Sequence, residues 1–121
     1  MDNSSGAVGE EYTAVYLQEK GYSILKRNFH SRYGEIDIIA KNQKYLAFVE
    51  VKTREQGSLV NPLEAVTASK QKKIIRTALL FLQKKPMPLQ PRFDAAAVIT
   101  ENGIPVSIQY ITDAFSCGGF F

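Results

Sequence analysis

Apolar positions Ala7, Val8, Tyr12, Val15 and Tyr16 recur at helical spacing between Ser4-Ser5-Gly6 and Lys20-Gly21. Glu10 and Glu11 fall early and Gly21 is placed to end the run, so the pattern predicts a helix with a glycine C-cap. The period then changes. Tyr22–Phe29, Glu35–Ala40 and Leu46–Thr53 read as strands, separated by turns at Ser31-Arg32-Tyr33-Gly34 and Lys41–Lys44. The connection between the last two is short enough to predict an antiparallel hairpin. Gln56-Gly57-Ser58 and Asn61-Pro62 read as a loop. Beyond it, Glu64–Lys85 carries Ala65, Val66, Ile74, Ile75, Ala78, Leu79 and Leu82 at helical spacing. Pro86, Pro88 and Pro91 close that helix, and Arg92–Thr100 and Ile104–Ile111 form two further strands about an Asn102-Gly103 turn. The order is αβββαββ, an α/β arrangement with a mixed sheet flanked by helices. Residues 1–121 make one domain, with 112–121 read as a mobile or partner-seeking tail.

Composition adds three limits. At 121 residues and 45% apolar content the chain is expected to build one core. It has no apolar run of about 18 residues and no basic, apolar leader, so a cytoplasmic protein without a membrane partner is expected. One cysteine (Cys117) and one histidine (His30) exclude an internal disulfide and a Cys/His zinc site. Cys117 reads as a free surface thiol rather than a nucleophile, and His30 as a solvated loop residue with DNA contact as a further role.

Net charge is only +3, but it is unevenly spread. Residues 20–85 hold 14 Lys/Arg against Glu35, Asp37, Glu50, Glu55 and Glu64, a balance of +9, while the rest of the chain totals −6. A cationic body around an acidic centre suits a polyanion such as nucleic acid, and a solvated surface equally well.

The acidic centre is the unusual part. Side chains alternate along a strand, so Glu50 and Lys52 share one side with Leu46 and Phe48, while Val49, Val51 and Thr53 take the other. Glu35, Asp37 and Ile39 share a side of the preceding strand, with Ile36 and Ile38 opposite, and hairpin pairing can bring Asp37 beside Glu50. Buried charge costs several kcal/mol unless it is paired or binds a metal. Mg²⁺ suits such carboxylates because it takes oxygen ligands and shares them with substrate phosphates. A cross-strand ion cluster on a half-exposed sheet fits the same residues.

Glu50-Val51-Lys52 after a strand bearing Asp37 resembles the PD-(D/E)XK nuclease superfamily, which includes type II restriction enzymes and archaeal Holliday junction resolvases. More closely, Gly34-Glu35-Ile36-Asp37-Ile38-Ile39-Ala40, Phe48-Val49-Glu50-Val51-Lys52-Thr53-Arg54 and Arg92-Phe93-Asp94 resemble the YraN (UPF0102-type) family of small bacterial endonuclease-like proteins. The likeness runs from Gly9-Glu10 to Asp113-Ala114-Phe115. It implies a restriction endonuclease-like core and a metal-dependent endodeoxyribonuclease that hydrolyses phosphodiesters, with Mg²⁺ or Mn²⁺ as cofactor. Asp37, Glu50 and Lys52 are implied as catalytic, and Asp37, Glu50 and Glu10 as metal ligands. Ile36 stands where the superfamily motif has its proline.

Glu10 has a second reading as a helix-dipole residue. Glu35 reads as another ligand or, in preference, an outward-facing strand residue, and Asp94 as a cap or a partner for a basic neighbour at a strand start, outside the catalytic set. Lys70, Lys73, Arg54 and Arg32 are candidate nucleic-acid contacts, with a solvated helix face the alternative for the first two. Gly57, Asn61 and Pro62 are read as shaping a substrate-facing loop. By analogy with junction resolvases, branched DNA in repair or recombination is the expected substrate and a homodimer the expected assembly, with Phe115, Phe120 and Phe121 as contacts. The alternative function is a non-catalytic nucleic-acid-binding module that keeps the nuclease fold.

Overall fold

The computed structural model describes residues 4–57 and 66–116; Ser58, Asn61, Pro62, Glu64, Ala65, Cys117, Phe120 and Phe121, all assigned above, lie outside the described residues. The elements are α1 (Ser4–Glu19), β1 (Ser23–Ser31), β2 (Gly34–Lys41), β3 (Tyr45–Glu55), α2 (Ala68–Lys84), β4 (Gln90–Glu101) and β5 (Ile104–Phe115). Helix α1 stops where its sequence says it should. Gly21 takes φ 95°, its N–H donates to Gln18 O, and the Tyr22 N–H donates to Leu17 O, which satisfies the last carbonyls in a Schellman cap.

The strands form one sheet in the order β1-β2-β3-β4-β5. All neighbours are antiparallel except β3 and β4, which run parallel and are joined by α2. That crossover is the connection a parallel pair requires. Asn102 (φ 53°) and Gly103 (φ 79°) make the tight β4–β5 turn, as an Asn-Gly pair favours.

Each helix covers one side of the sheet. Ala14 and Leu17 of α1 bury Ile38, Ala40, Ala47, Val49 and Ala96. Ile74, Ile75, Ala78 and Phe81 of α2 bury Ile39, Leu46, Phe48 and Phe93, with Phe48 and Phe93 stacked at 5.5 Å. Close approach has one fixed point: a Cβ on Gly9 would collide with Thr53 Oγ1, so α1 lies against β3 only because residue 9 is glycine. Among the described residues no helix is long and apolar enough to cross a membrane.

Three expectations are corrected. Helix α2 begins at Ala68, not Glu64: Thr67 is extended (φ −67°, ψ 164°) and its hydroxyl accepts the Lys70 N–H at 3.2 Å, an N-cap that leaves Val66 outside the helix as a core plug. Thr112–Phe115 belong to β5 rather than to a tail. Asp113 adopts φ 56° and donates its N–H to Asp94 Oδ1 at 2.9 Å, and Phe115, half-buried rather than an exposed tail residue, stacks on Phe93 at 5.1 Å. His30 lies in β1, paired with Glu35 of β2, not in a loop.

Candidate metal centre and cleft

Ile36 packs in the cluster under α2 and Ile38 in the cluster under α1, so strict alternation fails on either side of Asp37. Pairing between β2 and β3 also ends at Ile38–Val49. Past that point the Val51 N–H donates to Asp37 Oδ2 at 2.7 Å, so a carboxylate satisfies a donor left where the strands diverge. The divergence opens a cleft of about 540 Å³ between the β2–β3 hairpin and the start of α2, lined by Glu35, Asp37, Glu50, Lys52, Lys70 and Lys73 among others.

Two charged groups occupy this region. The first is an acidic trio: carboxylate oxygens of Glu10 on α1 and of Glu35 and Asp37 on β2 lie within 4.8 Å of one another. Glu35, read from the sequence as outward-facing, joins the trio while staying exposed and lying 3.7 Å from His30 Nδ1. The second is an ion cluster about Glu50, which is only 7% exposed. Its Oε2 lies 2.6 Å from Lys70 Nζ and 3.6 Å from Lys52 Nζ. Asp37 and Glu50 thus line one cleft, but Glu50 is engaged by lysines rather than grouped with the trio.

The electrostatics follow from that crowding. Burial, then the charge of Glu50, pushes the Asp37 carboxyl up from 3.8 to about 7, against the Val51 hydrogen bond; Glu10 and Glu35 add to the rise. Burial also raises Glu10, with the charges of Glu35 and Glu50 adding to it, while Asn28 and Arg27 oppose. Lys52 is held below the usual lysine range by its hydrogen bond to Lys70 and by burial. Burial pulls Lys70 the same way, but its contacts with Glu50 outweigh that and leave it raised. The two neighbouring lysines are thus shifted in opposite directions, Lys70 up and Lys52 down.

An all-oxygen set of clustered carboxylates, with Asp37 and Glu10 both raised, fits a hard divalent cation such as Mg²⁺ or Mn²⁺, whose charge would favour the ionised forms of those two. Lys73 lines the cleft with Lys70. Arg54 donates to Thr53 O at 3.0 Å and Arg32 to Tyr33 Oη at 3.0 Å, and neither contributes to the lining. Thr67 and Ser69, at the N-terminus of α2, do line it; they were missed because helical spacing carries back through residues 64–66. Asp94 sits apart. Fully buried, it accepts from Arg92, from Tyr110 Oη at 2.6 Å and from the Asp113 N–H, and Arg92 Nη2 also reaches Tyr22 Oη, a network that locks β4 to β5.

A five-stranded mixed sheet between two helices in the order αβββαββ, with the Asp hairpin leading into a Glu-x-Lys strand and a crossover helix, is a restriction endonuclease-like core. Comparison with known sequences then fixes the family. The model of the uncharacterised protein family UPF0102 matches residues 9–98. A UPF0102 protein of Chlorobium phaeobacteroides (strain BS1) is 47% identical over 117 residues, covering 91% of this chain and 92% of its own. One from Syntrophomonas wolfei is 40% identical over 116 residues (95% and 100%), and one from Rhodococcus opacus (strain B4) 43% over 111 (91% and 94%). The chain belongs to the UPF0102, or YraN-like, family.

Proposed function

We propose that this protein is a cytoplasmic, divalent-metal-dependent endonuclease that hydrolyses DNA phosphodiesters, with branched DNA as substrate and a homodimer as its working form. The observation that carries the reading is the cleft itself, where Glu35, Asp37 and Glu50 line the walls with Lys52 and Lys70 beside the N-terminus of α2, and Glu10 of α1 joins the first two carboxylates. Glu10, Glu35 and Asp37 would hold the cation, with Glu50 the further carboxylate. When bound, it supplies charge stabilisation for the phosphoryl oxygens and a more acidic water.

The chain's own groups account for the rest. Lys70, Lys73 and the N-terminal end of α2 favour a phosphate in the cleft. Lys52, held below the usual lysine range, acts in this reading as the neutral amine: its Nζ takes the proton of the attacking water as the new O–P bond forms, while the oxygen of the leaving strand keeps the electron pair of the broken P–O bond and takes a proton from solvent. Glu50 keeps Lys70 charged throughout.

The test is a cleavage panel of single-stranded, duplex, flap and four-way-junction DNA with Mg²⁺ or Mn²⁺. Cleavage by the wild type that disappears in Asp37→Ala, Glu50→Ala and Lys52→Ala, with DNA binding retained, supports the proposal. No cleavage of any DNA or RNA form overturns it. The 2.6 Å Glu50–Lys70 contact favours a second reading, a binding module whose ion cluster is complete without metal. Calorimetry with Mn²⁺ separates the two, since that module gives no heat of binding.

A further inference from the structure

At the rim of the cleft the β1–β2 turn carries Tyr33, with two guanidiniums close to its ring. Arg32 Cζ lies 5.1 Å and Arg76 Cζ 5.5 Å from the ring centroid, and Arg32 Nη2 donates to Tyr33 Oη at 3.0 Å. Both arginines are exposed and the ring is half-buried. The turn is pinned in place. Ser31 Oγ accepts the Tyr33 N–H at 3.0 Å and is hydrogen-bonded at 2.8 Å to Thr77 Oγ1, a fully buried hydroxyl of α2. Gly34, the next residue, already lines the cleft, and a Cβ there would stand 3.5 Å from the Cβ of Lys73.

Lys70, Lys73 and Arg76 are spaced three apart on α2 and form one stripe leading from the cleft to Tyr33. Six residues of helix advance about 9 Å, the rise of two or three nucleotides along a DNA strand. Phosphate contact needs only the cations. An aromatic ring with two guanidiniums beside it adds a surface that phosphates do not use but a nucleobase does, since bases stack on aromatic and guanidinium planes alike. Bases inside a continuous duplex are already stacked on one another and cannot reach such a surface.

We propose that Arg32, Tyr33 and Arg76 form a stacking platform for an unpaired nucleobase lying two or three nucleotides from the phosphate in the cleft. The platform selects substrates with a single-stranded segment beside the cleft over uninterrupted duplex. The inference rests on the nucleic-acid side of the proposed function and not on cleavage.

The test measures binding in EDTA, where nothing is cut, of a single-stranded oligonucleotide, a flap and a blunt duplex, by fluorescence anisotropy, with 2-aminopurine emission in the single strand as a stacking signal. Tyr33→Ala should weaken single-strand and flap binding roughly 10- to 100-fold, the loss of one base stack, and abolish the 2-aminopurine quench while changing duplex binding less than about 2-fold. Tyr33→Phe, which keeps the ring, should bind as wild type and guards against a folding defect in the alanine variant. Equal losses on single strand and duplex, an unchanged quench in Tyr33→Ala, or loss of binding in Tyr33→Phe would overturn the platform. Because cleavage plays no part, an inactive protein that still shows the Tyr33-dependent quench refutes the nuclease and keeps the platform. An active one without the quench does the reverse.

Discussion

Replacing Asp37 by Asn should make the metal-free protein more stable, although Asp37 lies at the heart of the proposed site. A carboxyl held at about 7 in the folded state and near 3.8 in the unfolded chain costs the ionised fold up to roughly 4 kcal/mol, at about 1.4 kcal/mol per tenfold change in proton affinity. The sign follows from the direction. With the folded pKa raised, this group's contribution is fully present below about 3.8 and is lost as pH climbs through about 7. Asparagine removes the charge and keeps an oxygen for the Val51 N–H. Its added NH₂ needs a partner, so a gain of about 2 kcal/mol at pH 8 is the working expectation, equivalent to several degrees in Tm. At pH 5, where the folded carboxyl is protonated and the unfolded one ionised, the cost of the wild-type group shrinks to roughly 1.6 kcal/mol, about what the added NH₂ costs, so the gain should vanish. The assay is urea unfolding of both proteins in EDTA at pH 8 and pH 5, followed by circular dichroism. A variant less stable than wild type at pH 8, or one with the same gain at both pH values, would mean that the folded protein does not disfavour the Asp37 charge.

Other substitutions probe separate parts of the account. Lys70→Ala removes the 2.6 Å partner of a carboxylate that is 7% exposed and should cost about 1–3 kcal/mol by thermal melting. Lys52→Ala, 3.6 Å away, should cost under about 1 kcal/mol while ending cleavage; equal costs would show that Glu50 does not depend on Lys70. Gly9→Ala drives a methyl into Thr53 Oγ1 and should destabilise by about 1–3 kcal/mol, with an unchanged melting curve counting against the described α1–β3 approach. Asp94→Ala leaves Arg92 without its ion partner and should cost about 3–5 kcal/mol in urea unfolding. A cost below about 1 kcal/mol would contradict the described locking of β4 to β5.

Much of the fold was legible because its signals are local. Helical and strand periods, the Gly21 cap, the prolines after α2 and the Asn102-Gly103 turn each act over a few residues. What escaped depends on distant partners. Thr112–Phe115 lack strand alternation and join β5 through Asp94 and Phe93, some twenty residues away. Val66 keeps helical spacing, but the Thr67 hydroxyl claims the Lys70 N–H and starts α2 later. Period-two alternation put Glu50 on the side of Phe48 and Glu35 on the side of Asp37, but it carries neither the switch between Ile36 and Ile38, which arises from the sheet's divergence, nor the approach of Glu10 from α1. The same limit hid Lys70 as the nearest partner of Glu50, a contact between β3 and α2 that no spacing within either element encodes.

The claim on which the rest depends is that Glu10, Glu35 and Asp37 together hold a divalent cation. A Mn²⁺ titration followed by electron paramagnetic resonance, where free ion gives the signal and bound ion quenches it, measures this directly at pH 8. The account predicts saturable binding to the wild type that is retained in Lys73→Ala and lost in both Asp37→Asn and Glu10→Gln. Mn²⁺ that stays free in the presence of the wild type, or that binds all four proteins alike, would contradict it.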